Sequence, residues 1–225
     1  MIKILEKDTS TSIDWFTDNS LSANPDKFQA MIVSKTSHSN VKIELKGTEI
    51  KLVDTMKTLG VNVDKHLDFK LHVSEICVKA SKQLNVLRRL SKYLNESCLL
   101  TIYKSFITSS FNYCPVVWIF CGKKSSAKLE KLNERALRIV YKDSISSYTD
   151  LLKKAKALSL SMLRLKFMIL EVFKCVHKSN PAYMNDMIVI KDPKHSFRDE
   201  SITVQEMFKT KAYGFRSFPY FGSKL

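Results

Sequence analysis

The sequence predicts an α+β fold, with a small N-terminal helix and a β-hairpin/strand element followed by a mainly α-helical bundle. Three observations carry this expectation. Short alternating runs such as Val41-Lys42-Ile43-Glu44-Leu45 are confined to the first 65 residues, whereas apolar spacings of three and four recur from Val73 to Phe173. Only five Gly and five Pro in 225 residues argue against a turn-rich, all-β chain. A hydrophobic fraction of 44 % is enough to build a core.

Three regions differ in texture: 1–65, 66–180 and 181–225. In the first, Thr9 or Ser10 is expected to cap a short helix carrying Ile13 and Phe16, which Asn24-Pro25-Asp26 breaks. Phe28–Val33 is a candidate strand. Val41–Leu45 and Glu49–Val53 flank Lys46-Gly47-Thr48 as a half-buried hairpin, and Leu59–Val63 alternates as a further strand. In the second region, Asp68 is expected to cap a helix running to about Leu94 on Val73, Ile76, Ala80, Leu84 and Leu87. Asn95 or Ser97 opens a helix through Leu99, Tyr103 and Ile107 that Pro115 ends. Ser125 or Ser126 opens another, through Leu129, Leu132, Ala136 and Ile139. A short helix is expected over Tyr148–Ala157, then a longer one over Ser161–Lys178 with Leu163, Phe167, Leu170 and Phe173 inward; Asn180-Pro181 stops it. The third region loses periodicity, with Asp192-Pro193 and Phe218-Pro219 as loops. Its aromatic run Phe215, Phe218, Tyr220 and Phe221 at the chain end is expected of a portion cut from a longer protein.

Charge is distributed unevenly. Residues 1–65 hold nine basic and nine acidic residues, whereas 66–180 hold 21 and 8, most of the overall net charge of +15. A polyanion is the natural partner of such a field. At about 100° per residue, Lys128, Lys131, Arg135, Arg138 and Lys142 share one quarter of a helix, and Lys79, Lys82, Arg89 and Lys92 lie opposite an apolar face. Each phosphate that such cations neutralise releases counterions, which makes binding salt-sensitive. The competing reading is a solvated face balanced by acids, with Glu134 placed four residues before Arg138. Tyr93, Tyr103, Tyr141 and Tyr148 sit near basic residues and are read as base-stacking platforms or, more ordinarily, as core edges.

Catalytic signatures are missing from the sequence: no Asp-Asp pair, glycine-rich phosphate loop, nucleophile elbow or H-E-x-x-H. The five cysteines include no C-x-x-C, and the histidines His38, His66, His72, His177 and His195 are scattered, so neither disulfides nor a metal site is expected. With no signal peptide and no apolar run of membrane-spanning length, the chain is expected to be intracellular, cytoplasmic or nuclear, and not secreted or membrane-bound.

Several of these segments also resemble a known family. Trp15 to Lys27 (Trp-Phe-Thr-Asp-Asn-Ser-Leu-Ser-Ala-Asn-Pro-Asp-Lys) is similar to a segment that comes after the catalytic aspartates in reverse transcriptases of non-LTR (LINE-type) retrotransposons. Leu59-Gly60-Val61-Asn62-Val63-Asp64 resembles the family's primer-grip strand, and Leu67-Asp68-Phe69-Lys70-Leu71-His72-Val73 resembles the opening of its thumb. Leu100–Ile107 with Tyr113 and Trp118, then Leu132–Arg138, and finally Gly214–Leu225 resemble later family segments in the same order.

The resemblance implies that 1–65 is the end of a polymerase palm, 66–180 a basic thumb-like bundle and 181–225 a truncated tail. It implies a DNA or RNA template–primer duplex or hybrid as partner, and a palm and fingers portion bearing the catalytic aspartates. It also implies a role for Lys27, Leu59 and Gly60, although Phe28 stands where the family has Thr after the lysine. The whole polymerase would use magnesium; the aspartate motifs that hold it are not in this sequence, so no cofactor and no independent enzyme activity are expected of the chain. The alternative expectation is a relic of a degenerate retroelement that binds a protein or nothing.

Overall fold

The computed structural model describes residues 2–34, 41–190, 203–204, 214 and 217–225. His38, Asp192-Pro193, His195, Phe215 and Arg216 lie outside the described residues. The fold is α+β and mostly helical, with two small antiparallel strand pairs. The chain divides into two compact units, 1–72 and 73–225.

The first unit begins with α1 (Ile2–Asp18). Thr9 does not cap it. The Thr9, Thr11, Ser12 and Thr17 hydroxyls donate to carbonyls four residues back, so the hydroxyl-rich stretch lies inside the helix. Asn24 ends in a cap of its own, accepting from the Asp26 N–H over a single turn at Pro25–Lys27. Phe28–Val33 is not a strand; among the described residues it forms one parallel bridge, Ala30 to Leu52. The first hairpin appears where alternation placed it; the second is a correction, because Leu59 and Gly60, expected inside a strand, form the turn that precedes the strand at Val61. β1 (Ile43–Leu45) pairs with β2 (Thr48–Ile50), and β3 (Thr55–Thr58) with β4 (Val61–Asp64). Each is closed by two residues at positive φ, Lys46-Gly47 (49° and 80°) and Leu59-Gly60 (47° and 84°). That is the type I′ geometry whose twist matches antiparallel strands. Ile43, Leu45 and Ile50 form the core, flanked by Ile13, Phe28, Val41 and Leu52.

Asp64 organises the end of this unit. Its carboxylate accepts from the N–H groups of His66 (3.0 Å), Asp68 (3.2 Å) and Phe69 (2.8 Å). These bonds hold a loop in which Leu67 and Phe69 both take positive φ. Buried His72 accepts from the Asn62 N–H at 3.4 Å. The aspartate and histidine of the two family-like segments are therefore structural residues.

The second unit holds the body of α2 (Lys70–Leu90), which stops one turn short of Leu94. It buries Val73, Ile76, Ala80, Leu84 and Leu87 as the spacing predicts. Asn95 caps α3 (Glu96–Ile102), accepting from the Cys98 N–H at 2.9 Å. A π-helical turn over Tyr103–Thr108 and the short α4 (Ser109–Phe111) continue it. The wider turn keeps Leu99, Tyr103, Ile107 and Phe111 all buried at a spacing of four. The helix is over before Pro115. α5 (Lys123–Tyr141) starts two or three residues before the predicted serines and buries seven side chains, from Leu129 to Tyr141.

Ser147 and Ser159 cap α6 (Tyr148–Ala155) and α7 (Leu160–Val176). α7 corrects the predicted phase: Leu160, Arg164, Met168, Val172 and Cys175 are buried, while Leu170 and Phe173 face solvent. This helix is apolar nearly all round, so periodicity could not choose its inner face. α8 (Ala182–Asn185) and α9 (Phe218–Gly222) complete the described elements. Three helices end on lysines in the left-handed conformation: Lys142 after α5 (φ 51°), Lys156 after α6 (φ 50°) and Lys178 just beyond α7 (φ 53°). Among the described residues no helix is long and apolar enough to cross a membrane.

Candidate nucleic-acid interface

α5 is the hub of the second unit, and its two faces have opposite chemistry. Inward, Tyr103 Oη donates to Asn133 Oδ1 (2.7 Å), Asn133 Nδ2 donates to Tyr148 Oη (2.8 Å), and Tyr148 Oη donates to Glu130 Oε2 (2.7 Å). Glu130 also accepts from the N–H groups of Leu160 (3.2 Å) and Ser161 (2.8 Å), at the start of α7. Burial, reinforced by the Glu130 carboxylate, pushes the Tyr148 phenol well above its ordinary range, and burial raises Tyr103 as well. Such a chain of satisfied polar groups fixes one arrangement of helices. Outward, Lys128, Lys131 and Arg135 are exposed, and Lys124 extends their line by one turn. Spacings of four, three and four keep the quartet on one stripe.

The two acids of α5 do not neutralise that stripe. Glu130 is turned to Tyr148 and α7. Glu134 holds Arg138 through Nε (3.1 Å) and Nη2 (2.7 Å). Half-buried Arg138 also meets the Asp143 carbonyl at 3.5 Å, so it serves as a structural pin. Spacing alone puts Arg138 on the track; the structure ties it to its own helix. Lys142 is exposed at the left-handed cap, past the helical stripe.

The α2 cations Lys79, Lys82 and Arg89 are exposed, and Lys92 lies in the turn beyond the helix. Apart from Arg138, none of the nine predicted cations makes an ion pair with another described residue. The charge of Lys128 acts on half-buried Cys77 of α2, whose thiol is pushed up mainly by burial. The α2 cations add to the exposed positive charge of the second unit.

Of the tyrosines, Tyr103 and Tyr141 are buried, and Tyr148 is engaged in the polar chain. Tyr93, 83 % exposed, is the one of the four that presents an open ring. Lys27 is exposed at the end of its single turn, and Leu59, 85 % exposed, forms the hairpin tip with Gly60. No three His, Cys, Asp or Glu side chains converge as metal donors among the described residues, so the magnesium implied for a whole polymerase has no donor set among them. Sequence reasoning missed Lys124, Glu130 and Arg164. Lys124 precedes the serines read as the helix start, and the other two are ionisable groups at inward positions that composition assigns to the surface.

These features define a basic helical unit with an unbalanced cationic stripe, joined in sequence to a small hairpin unit. Over 101 residues the chain is 30 % identical to a Retrovirus-related Pol polyprotein from type-1 retrotransposable element R1 4 of Nasonia vitripennis. The match covers 44 % of this chain and 26 % of that polyprotein. The similarity connects the chain with retrotransposon polyproteins. No family model matches it, and no solved structure matches it.

Proposed function

We propose that the chain is a nucleic-acid-binding portion of a retrotransposon-type RNA-directed DNA polymerase, corresponding to the thumb and flanking region, which grips a template–primer duplex or hybrid. The observation that carries this reading is the stripe Lys124–Lys128–Lys131–Arg135, whose neighbouring acids are both committed elsewhere. The partial similarity to a retrotransposon Pol polyprotein supports it. On this reading the chain supplies binding and no chemistry of its own. The catalytic carboxylates belong to a palm and fingers portion, and the work is done inside the cell, in nucleus or cytoplasm. Phosphate contacts give most of the affinity and little sequence preference.

The test is fluorescence anisotropy with a labelled RNA–DNA hybrid at several salt concentrations. Charge reversal at Lys128, Lys131 and Arg135 should abolish binding at moderate salt and flatten its salt dependence by about one unit of slope per lost phosphate contact. Reversal at Lys82 and Arg89 should do less. Equal binding by the α5 variant would refute the reading. A second reading, a protein-binding relic, draws on exposed apolar side chains: Ile169 and Phe173 on α7, Trp15 on α1, and an apolar cavity of about 670 Å³ in the first unit lined by Ile2, Leu5, Phe28 and Ile43. It predicts concentration-dependent self-association in sedimentation experiments and no hybrid binding.

A further inference from the structure

The first turn of α5 lacks what helix starts ordinarily have. Its N-cap is Gly122, which offers no side-chain acceptor, and no acidic residue lies in the turn. The amides of Lys123, Lys124 and Ser125 point out of the helix end unmatched, since the first intrahelical bond is Ser126 N–H to Gly122 O at 3.0 Å. Lys123 and Lys124 put two cations where the helix dipole is already positive.

Beneath this turn lies an unrelated anomaly. Arg164 of α7 is 4 % exposed, and its Nη1 is buried with no hydrogen-bond partner. Its Nη2 donates to Ser126 Oγ, and its guanidinium lies 5.3 Å from the Trp118 ring. No carboxylate pairs with it among the described residues. A buried guanidinium without a counter-charge is costly, and removal of one partner of a buried pair shows how strongly such a charge demands an anion.

We propose that the first turn of α5, backed by Arg164, seats a single phosphate of the bound nucleic-acid strand. The amides of Lys123, Lys124 and Ser125 meet its oxygens as helix N-termini do. Ser126 Oγ accepts from Arg164 and turns its own hydroxyl hydrogen toward the phosphate. Arg164 is thus a positioning residue that supplies charge through Ser126. The seat is open to solvent: Gly122, Lys123 and Lys124 are exposed, and a Cβ at Gly122 would meet nothing within 4 Å. From here Lys124, Lys128, Lys131 and Arg135 run along the helix over about 16 Å at 1.5 Å per residue. The seat fixes where the strand begins, and the stripe holds the phosphates beyond it. The choice of a nucleic-acid phosphate over a free one rests on the function proposed above.

The experiment uses the full chain with three variants: Gly122→Asp, which places a carboxylate cap in the seat; Gly122→Ala, which does not; and the α5 charge reversal. Thermal unfolding is monitored with and without inorganic phosphate at constant ionic strength, and hybrid binding by anisotropy. Phosphate should raise the wild-type Tm saturably. Gly122→Asp should raise the Tm without phosphate, lose the phosphate response, weaken hybrid binding and lower the salt slope by about one. Gly122→Ala should keep the phosphate response. A phosphate response unchanged in Gly122→Asp, or absent from the wild type, overturns the seat; the polymerase-thumb reading still stands if the charge reversal alone abolishes hybrid binding. A phosphate response lost in Gly122→Asp with unchanged hybrid affinity overturns the assignment to nucleic acid and leaves a free-phosphate site. A wild type that binds no hybrid at low salt overturns both readings.

Discussion

The two units order their chains by different means. In residues 1–72 the backbone does most of it: two type I′ turns set two short hairpins, one carboxylate holds the loop after them, and a small cluster of Ile43, Leu45 and Ile50 is buried. α1 buries no side chain at all. In residues 73–225 the side chains do it. Trp118, Leu129, Ala136, Leu137 and Met168 are wholly buried around a continuous polar chain. Strands of three and four residues present too few inward positions to bury much, whereas a long helix offers a wide apolar stripe. The difference teaches where each unit is vulnerable: the first in its turns, the second in its interior.

Trp118→Ala should give the largest effect, about 3–5 kcal/mol lost from the second unit. Chemical denaturation would measure it, with the fluorescence of Trp15, the tryptophan left, reporting the first unit unchanged. A coincident loss in both units would break the comparison. Asn133→Ala should cost about 1–3 kcal/mol, because it removes the acceptor of the buried Tyr103 hydroxyl and the donor to that of Tyr148. The same chain has a pH signature. The Tyr148 phenol ionises later in the folded state than the ordinary 10.0 of the unfolded chain. Its contribution is therefore fully present below pH 10 and is lost as pH rises beyond it. Tyr148→Phe should remove this part of the alkaline destabilisation, seen as a flatter stability curve above pH 10. The smallest effect belongs to the first unit. Gly60→Ala, at φ 84°, should cost about 1 kcal/mol and leave the second unit's transition in place.

Legibility in the sequence divides along the same line. The first hairpin is readable because alternation around Lys46-Gly47 leaves little choice of register, whereas the turn at Leu59-Gly60 is hidden because Leu59 continues the alternation of Val61 and Val63. α2 was readable because its apolar residues fall on one stripe. The start of α1 was misread because Thr9 looks like a cap and instead bonds back to Leu5. α7 was misread because Arg164 occupies a core position that the pattern gave to Leu163 and Phe167. The cationic stripe on α5 was legible from spacing alone. The withdrawal of Arg138 is local, resting on Glu134 four residues before it, whereas the inward turn of Glu130 depends on Tyr148 and the start of α7, which are distant in sequence.

The left-handed lysines carry a consequence for how this molecule tolerates change. At Lys142, Lys156 and Lys178 the backbone takes a shape that glycine adopts freely and lysine only under strain. Glycine at all three would remove that backbone strain. Lysine there instead sets a long positive arm at each helix's electronegative end. These corners keep conformational comfort in reserve: replacement by glycine relaxes the chain while stripping charge from its surface. Backbone ease and positive potential are thus opposed at the same three residues, and a change that improves one diminishes the other.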